Sequence, residues 1–436
     1  MRLSVIGCGY LGAVHAASMA ELGHDVVAID VDERKVAELS AGRPPIHEPE
    51  LPELLARSLA SGRLRFTTDI EEARGASVHF VAVGTPQQQG GTAADLTYVD
   101  AAVSALLPHL SDGDLVVGKS TVPVGTAARL AELVRASPAD ADLVWNPEFL
   151  REGFAVKDTI RPDRFVYGVP GGDAGVRATA VLDDVYRQAI DAETPRLVTD
   201  YATAELVKVS ANAFLATKIS FINAMAEIAE ATGADVTQLA DALGHDARIG
   251  RRFLNAGIGF GGGCLPKDIR AFQARADELG LDSLAFLADV DAVNLRRRDR
   301  VVALATELVG GDARGARVAV LGLAFKPDSD DVRDSPALDV ARRLREAGAH
   351  VVAYDPAANG TAARLAPDLD YVDSVDAALT GAEVTLVLTE WSELKALTPE
   401  RVAALVAERR LVDGRNVFDP RQWRDAGFEF RGLGRP

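Results

Sequence analysis

The chain begins with a short apolar run rich in β-branched residues, Arg2-Leu-Ser-Val-Ile6, which leads directly into Gly7-Cys-Gly-Tyr-Leu-Gly12. A helical pattern follows from about Ala13 to Leu22 and stops at Gly23, which suits a C-terminal cap. A second apolar run, Asp25-Val-Val-Ala-Ile29, is closed by Asp30. Further strand candidates stand at Val78 to Val83, Leu115 to Val117 and Leu143 to Trp145. Strands separated by helical patterns predict a parallel sheet with helices on both faces.

The middle of the chain is different. From Tyr201 to about Thr232 there is no Pro and no Gly, and Gly233 ends the stretch. It predicts one long helix of about 45 Å at the helical rise. Helix-like sequence continues to about Arg300, and the last third returns to alternation. Arg317-Val-Ala-Val-Leu321, His350-Val-Val-Ala-Tyr354 and Val384-Thr-Leu-Val-Leu388 are its strand candidates. The expected domains are residues 1–196, a central helical domain over 197–300, and a second sheet domain over 301–436. At 436 residues the chain is long enough for that many cores.

Charge narrows the partners. Lys plus Arg number 47 and Asp plus Glu 64, for a net charge of -17. Nucleic acids and anionic membranes want a basic surface, so neither is expected. Two cysteines, Cys8 and Cys264, give no disulfide framework, and the seven histidines show no metal-ligand pairing, so no metal is expected. No signal-peptide pattern and no membrane-length apolar run is read, which points to the cytoplasm.

The glycine motif has its full context: it follows a strand, opens a helix, and precedes an acidic residue at the end of the next strand. Gly7 permits the tight turn, Gly9 admits a pyrophosphate, and Gly12 lets the helix pack on the sheet. The helix N-terminus offers free N–H groups to phosphates. Asp30 is placed for ribose hydroxyls, and Asp32 and Glu33 add negative charge that would repel a 2′-phosphate, so NAD is favoured over NADP. An FAD site, or a glycine-rich turn in another α/β protein, is the alternative. Cys8, inside the loop, reads as a space-filling residue. The second sheet domain lacks this motif; its first strand runs into Gly322-Leu-Ala-Phe-Lys-Pro327, with Lys326 where a nucleotide phosphate can sit.

Chemistry beyond binding is suggested by Gly259-Phe-Gly-Gly-Gly-Cys-Leu-Pro-Lys-Asp268. Three glycines before a Cys let the backbone crowd a ligand, and Lys267 and Asp268 follow within one turn. A cation nearby favours thiolate. A buried structural Cys is the bland alternative. On the long helix Lys208 and Asn212 are four residues apart and share a face, able to hold a substrate oxygen. Lys218 and Asn223, on the same helix, receive no role. In Asn146-Pro-Glu-Phe-Leu-Arg-Glu152, Glu148 and Glu152 are an i, i+4 pair if a helix starts there. Acids past a strand end lie on the ligand side of a doubly wound sheet, or else simply suit a helix start. Lys119-Ser-Thr-Val-Pro123 follows another strand and offers Thr121.

Taken in order, Gly7 to Gly12, Gly84-Thr-Pro86, Lys119 to Pro123, Asn146 to Glu152, Lys208 with Asn212, Gly259 to Asp268 and Gly322 to Pro327 resemble the UDP-glucose/GDP-mannose dehydrogenase family. The likeness runs from Met1 to about Pro420. It implies two Rossmann-like doubly wound parallel-sheet domains joined by a long central helix and a helical region, the last domain binding the UDP-sugar. It implies NAD-dependent four-electron oxidation of UDP-glucose to UDP-glucuronate through a Cys-linked thiohemiacetal and thioester, then hydrolysis. By family position Cys264 is the nucleophile, Lys208 stabilises oxyanions, and Asp268 assists proton transfer or orders water, supported by Asn212 and Thr121. Glu148 is implied to position the hydrolytic water. Gly7, Gly9, Tyr10, Leu11, Gly12, Asp30, Lys35, Thr85, Thr121, Glu152, Lys267 and Arg333 match cofactor positions. Substrate positions are matched by Glu148, Phe149, Leu150, Arg151, Glu152, Lys208, Asn212, Arg248, Phe253, Leu254, Asn255, Ala256, Gly257, Gly261, Lys326 and Arg415, with Arg248 from a neighbouring subunit as one option. The acidic run Asp328 to Ser335 reads as a solvated loop and helix cap rather than a metal site. A homodimer or higher homo-oligomer is implied.

One departure concerns the base. Many UDP-glucose enzymes of the family carry Ser before the cysteine and Phe-Gln after it; here the flanks are Gly263 and Leu265-Pro266, which also resemble the GDP-mannose branch. GDP-mannose oxidation is therefore the alternative within the family. A one-step 3-hydroxyacid or 6-phosphogluconate type of dehydrogenase needs neither the Cys nor the second sheet. A non-catalytic nucleotide-sugar binder needs none of Cys264, Lys208 and Asp268, and all three are present.

Overall fold

The computed structural model describes residues 1–436. The chain forms two compact units, Met1–Ala211 with Ala274–Leu281, and Asn212–Gln273 with Asp282–Pro436. No helix is long and apolar enough to cross a membrane.

The first unit is built on an eight-stranded sheet. Its strands are β1 (Arg2–Ile6), β2 (Asp25–Ile29), β3 (Leu64–Thr67), β4 (Val78–Val81), β5 (Leu115–Gly118), β6 (Asp142–Trp145), β7 (Phe165–Gly168) and β8 (Arg196–Thr199). They run in the order β3-β2-β1-β4-β5-β6-β7-β8. The first six are mutually parallel, and the order reverses between β1 and β4, where such sheets bind ligands at their carboxyl ends. Val78–Val81 and Leu115–Gly118 are buried throughout, as helices on both faces require. Gly118 is obligatory: a Cβ there would sit 2.1 Å from the Trp145 ring.

The strands that the sequence singled out in this unit run parallel, as expected; β7, which follows them, meets β6 antiparallel, through Trp145 and Gly168. The connection between them holds only the six-residue helix Ala155–Ile160. The first helix starts earlier than its apolar pattern, spanning Tyr10–Glu21 with Gly9 as N-cap, so it begins inside the glycine motif.

The long helix spans Tyr201–Thr232, as its composition predicts. Near its start Glu205, 1% exposed, accepts from Gly125 N at 2.7 Å and Ala127 N at 2.6 Å, meeting orphan donors at the start of the Thr126–Arg135 helix. Burial pushes its pKa up to about 7 against the pull of these N–H groups.

The second unit holds a six-stranded parallel sheet: β9 (Arg317–Leu321), β10 (His350–Tyr354), β11 (Asp370–Tyr371), β12 (Val384–Val387), β13 (Arg410–Asp413) and β14 (Glu429–Gly432). Its order, β11-β10-β9-β12-β13-β14, repeats that of the first six strands of the other sheet. The turn after its first strand repeats too. Gly7 has φ 92° and donates to Ile29 O at 2.8 Å; Gly322 has φ 93° and donates to Tyr354 O at 2.8 Å. Only glycine holds that conformation without strain. Ser335 caps the Pro336–Glu346 helix, as the acidic run ahead of it predicts.

Glu205→Ala should leave two backbone donors unmet and cost about 2 kcal/mol. The measure is the urea midpoint, with Glu205→Gln recovering part of the loss through its single carbonyl oxygen.

Candidate active site

The glycine loop of the first unit is shaped for a dinucleotide. A Cβ at Gly12 would lie 1.7 Å from Gly7 O, whereas the space beside Gly9 is open. No acid stands in the first turn of the Tyr10–Glu21 helix, so its free N–H groups face no competing anion. Asp30, closing β2, accepts from Cys8 N at 2.7 Å, Asp32 N at 3.0 Å and Lys35 Nζ at 2.8 Å. Burial disfavours its charge, but these bonds outweigh burial and hold its pKa below the ordinary carboxylate range. Cys8 is fully buried, and burial followed by the Asp30 charge pushes its thiol pKa up, so it packs rather than reacts. Tyr10 donates to Glu48, which also accepts from Gly153 N at 2.6 Å and Ala155 N at 2.8 Å. Leu11 lines a cavity together with Glu148.

Residues 146–154 are not helical; the helix begins at Ala155. Glu148 and Glu152 are thus not a helical i, i+4 pair. Pro147 allows no N–H, and the segment runs as an irregular strap fixed by side chains. Asn146 roots it, donating to Val166 O at 3.0 Å and accepting from Lys119 Nζ at 2.9 Å and Tyr186 OH at 3.0 Å. Glu148 accepts from Leu150 N at 2.7 Å and pairs with Lys208 at 3.1 Å, both side chains largely buried. Phe149 carries the Arg164 guanidinium 3.9 Å from its ring centre and the Lys208 ammonium at 5.5 Å. Arg151 grips Asp158 with two N–H groups, and Glu152 is buried. Thr85 donates to Thr121 O at 2.8 Å, joining the turns that follow β4 and β5.

In the second unit Cys264 is exposed and stands immediately before the Leu265–Glu278 helix, its carbonyl accepting from Asp268 N at 3.0 Å. The three glycines before it do not open space for a ligand, as the sequence suggested. Added Cβ atoms would meet Asp334 O at 2.3 Å from Gly261, the Phe325 ring at 2.8 Å from Gly262 and the Arg333 guanidinium at 2.3 Å from Gly263. The chain's own residues fill that room and press the cysteine turn into shape. Asp268, 4% exposed, accepts from Asn212 Nδ2 at 2.6 Å and is paired by Lys267.

The loop before the cysteine is held by Arg415 and by groups to which the sequence assigned no role. Asn223, given no role there, accepts from Gly257 N at 2.9 Å. Asn294 brackets Phe260, accepting from its N at 2.7 Å and donating to its O at 3.0 Å. Arg415 donates to the carbonyls of Leu388, Gly259 and Phe325. Arg251 binds Leu254 O and Asn255 Oδ1, Asn416 binds Ala256 O, and Phe253 sits at φ 66°. Lys326 lies over the Phe325 ring at 5.3 Å. Arg333 pairs with Asp331, and Arg248 pairs with Asp246 in the open.

Residues 1–190, 202–296 and 319–420 match, in turn, the NAD binding, central and UDP binding domains of the UDP-glucose/GDP-mannose dehydrogenase family. The chain belongs to that family. Over its full length it is 43% identical to the UDP-glucose 6-dehydrogenase of Rhizobium meliloti strain 1021, covering 100% of both chains. It is 42% identical to UDP-glucose 6-dehydrogenase TuaD of Bacillus subtilis strain 168, covering 100% of this chain and 93% of that one. Among solved structures, a UDP-glucose dehydrogenase from the archaeon Pyrobaculum islandicum superposes with TM-score 0.91 at 41% identity, covering 100% of this chain and 98% of that one.

NAD is the cofactor of this family's first domain, and the loop fits it: the Gly9 opening, the unopposed helix N-terminus and the Asp30 carboxylate are all in place. Glu48, Asn223, Asn294 and Lys119 were missed for a common reason. Each acts on backbone or amide groups far away in sequence, and no local spacing announces such a partner. Only Asn223 carries a local signal, as a polar residue in the mostly apolar run Phe221-Ile-Asn-Ala-Met225.

Asp30→Ala should raise the KM for NAD at least about tenfold, because it removes both a ribose-side carboxylate and the tie to Cys8 N. Steady-state kinetics with NAD and NADP side by side measure it, and discrimination against NADP should narrow.

Proposed function

We propose that the protein is an NAD-dependent UDP-glucose 6-dehydrogenase that makes UDP-glucuronate. The observation that carries this reading is the contrast between its two cysteines. Cys8 is sealed in the core, whereas Cys264 is exposed at the N-terminus of a helix, beside a buried Asp268 held by Asn212 and Lys267. The names of the relatives support the substrate.

NAD, when bound, supplies the hydride acceptor for each of two successive oxidations at the sugar C6. It would be held by Gly7, Gly9, Tyr10, Leu11, Gly12, Asp30, Lys35, Thr85, Thr121, Glu152, Lys267 and Arg333. Lys208 donates to the C6 oxygen as negative charge gathers on it. After the first oxidation the Cys264 sulfur bonds to C6 of the aldehyde, and the carbonyl oxygen takes a proton. The resulting thiohemiacetal keeps one hydrogen on C6 to be given up in the second oxidation, which leaves a thioester on Cys264. Glu148 orients the water that adds to the thioester carbonyl. The C–S bond then breaks, Cys264 recovers its electron pair, and the carboxylate product departs. Asp268, with Asn212 and Thr121, orders water and passes protons. The strap from Glu148 to Glu152, the Phe253 to Gly257 loop, Lys326 and Arg415 hold the UDP-sugar.

A second reading, GDP-mannose oxidation, is favoured by one feature, Leu265-Pro266 after the cysteine. Side-by-side NADH production from UDP-glucose and GDP-mannose decides between them.

The protein also pairs with a second copy of itself through the long helix. Phe214, Phe221 and Ile228 are exposed at seven-residue spacing, one seam of a helix that packs on an apolar partner. Phe221→Asp should give monomers by sedimentation at micromolar concentration, and a wild type that is itself monomeric contradicts the pairing.

Complete turnover should release about two NADH per UDP-glucose, since a four-electron oxidation needs two hydride acceptors. Cys264→Ala should lose turnover by at least about a thousandfold. A stoichiometry of one defeats the reading.

A further inference from the structure

Lys119 follows β5, is 6% exposed, and makes no ion pair. Its ammonium donates to Asn146 Oδ1 at 2.9 Å and Tyr186 OH at 3.3 Å, and lies 5.7 Å from the Tyr186 ring centre. Tyr186 OH bonds the same Asn146 oxygen. Lys119, His15, Asn146 and Tyr186 line a small cavity whose wall also includes Glu148 and Phe149. A buried ammonium without a carboxylate is costly, and neutral hydrogen bonds repay that cost only in part. Nothing in the packing of the sheet calls for a charge here.

We infer that Lys119 is a positioning residue for the oxidation, rooting the Glu148 strap through Asn146 and placing a second positive charge behind the Glu148–Lys208 pair. The inference rests on the dehydrogenase reading. The groups that face this ammonium are His15 from the first helix, Glu148 from the strap, Lys208 from the long helix, and Tyr186. Burial keeps His15 neutral, with its pKa well below the ordinary value, and holds Tyr186 protonated. Burial above all, opposed by Glu148 and aided by Lys208, brings Lys119 down to about 8. Lys119 is therefore charged below that pH and neutral above it, so its support for negative charge at C6 is lost as pH rises through about 8.

The test is the pH profile of kcat from pH 6 to 10 for the full-length wild type, Lys119→Met, Tyr186→Phe and Asn146→Asp with UDP-glucose and NAD. Lys119→Met should lower kcat about tenfold with the KM for NAD within about twofold, and lose the alkaline limb. Tyr186→Phe removes an acceptor and should move that limb down by about half a pH unit, whereas Asn146→Asp supplies a carboxylate and should move it up. Tyr186→Phe keeps the ring, so it reports even if Lys119→Met fails to fold. An alkaline limb that stays at the wild-type pH in both Tyr186→Phe and Asn146→Asp overturns the inference, whatever Lys119→Met does to kcat or thermal stability. No NADH from the wild type defeats instead the functional reading beneath it.

Discussion

A buried ammonium without an answering charge is costly, and Lys208 has one in Glu148 at 3.1 Å. Removing one partner of such a pair strands the other at a cost of about 3–5 kcal/mol. Much of the first unit serves to deliver Glu148 to that place. The strap that carries it has no helix or ladder to stiffen it, so side chains do so at each end: Lys119 and Tyr186 on Asn146, Arg151 on Asp158, and Glu48 on Gly153 and Ala155. Glu48 also takes the Tyr10 hydroxyl, which links the strap to the glycine loop. Glycine loop and strap are therefore one hydrogen-bonded assembly.

The two sheets show how one local device reaches different ends. Each begins with a strand, a left-handed glycine and an aspartate after the next strand. Asp30 keeps a partner, Lys35, that is about a quarter exposed. Asp355 is locked: its oxygens accept from Leu323 N, Ala324 N, Ala357 N, Ala358 N and the Trp391 indole. A carboxylate saturated by backbone and capped by a rigid ring braces its turn and leaves little for a ligand. The same strand order thus supports a cofactor loop in one sheet and a stiffened scaffold in the other.

The cysteine turn teaches a similar lesson about glycine. Three in a row suggested a gap for a ligand, yet Phe325, Arg333 and Asp334 occupy that gap. Small residues announce close approach without naming what approaches. Asn223, Asn294 and Arg415 then hold the loop by its backbone, so it is set by polar contacts spanning 34 to 156 residues of sequence.

Periodicity by itself determined the alternation of strands and helices, the long Tyr201–Thr232 helix and the glycine turn, because each is a local consequence of side-chain spacing and backbone freedom. Motif order determined the family. Tertiary structure decided which polar groups meet. It turned Glu148 and Glu152 from a supposed helical pair into two positions on an irregular strap, and set β7 against β6. It also separated a sealed Cys8 from an exposed Cys264. Those outcomes depend on desolvation and on hydrogen bonds closed over long loops, and neither quantity exists until the chain has folded.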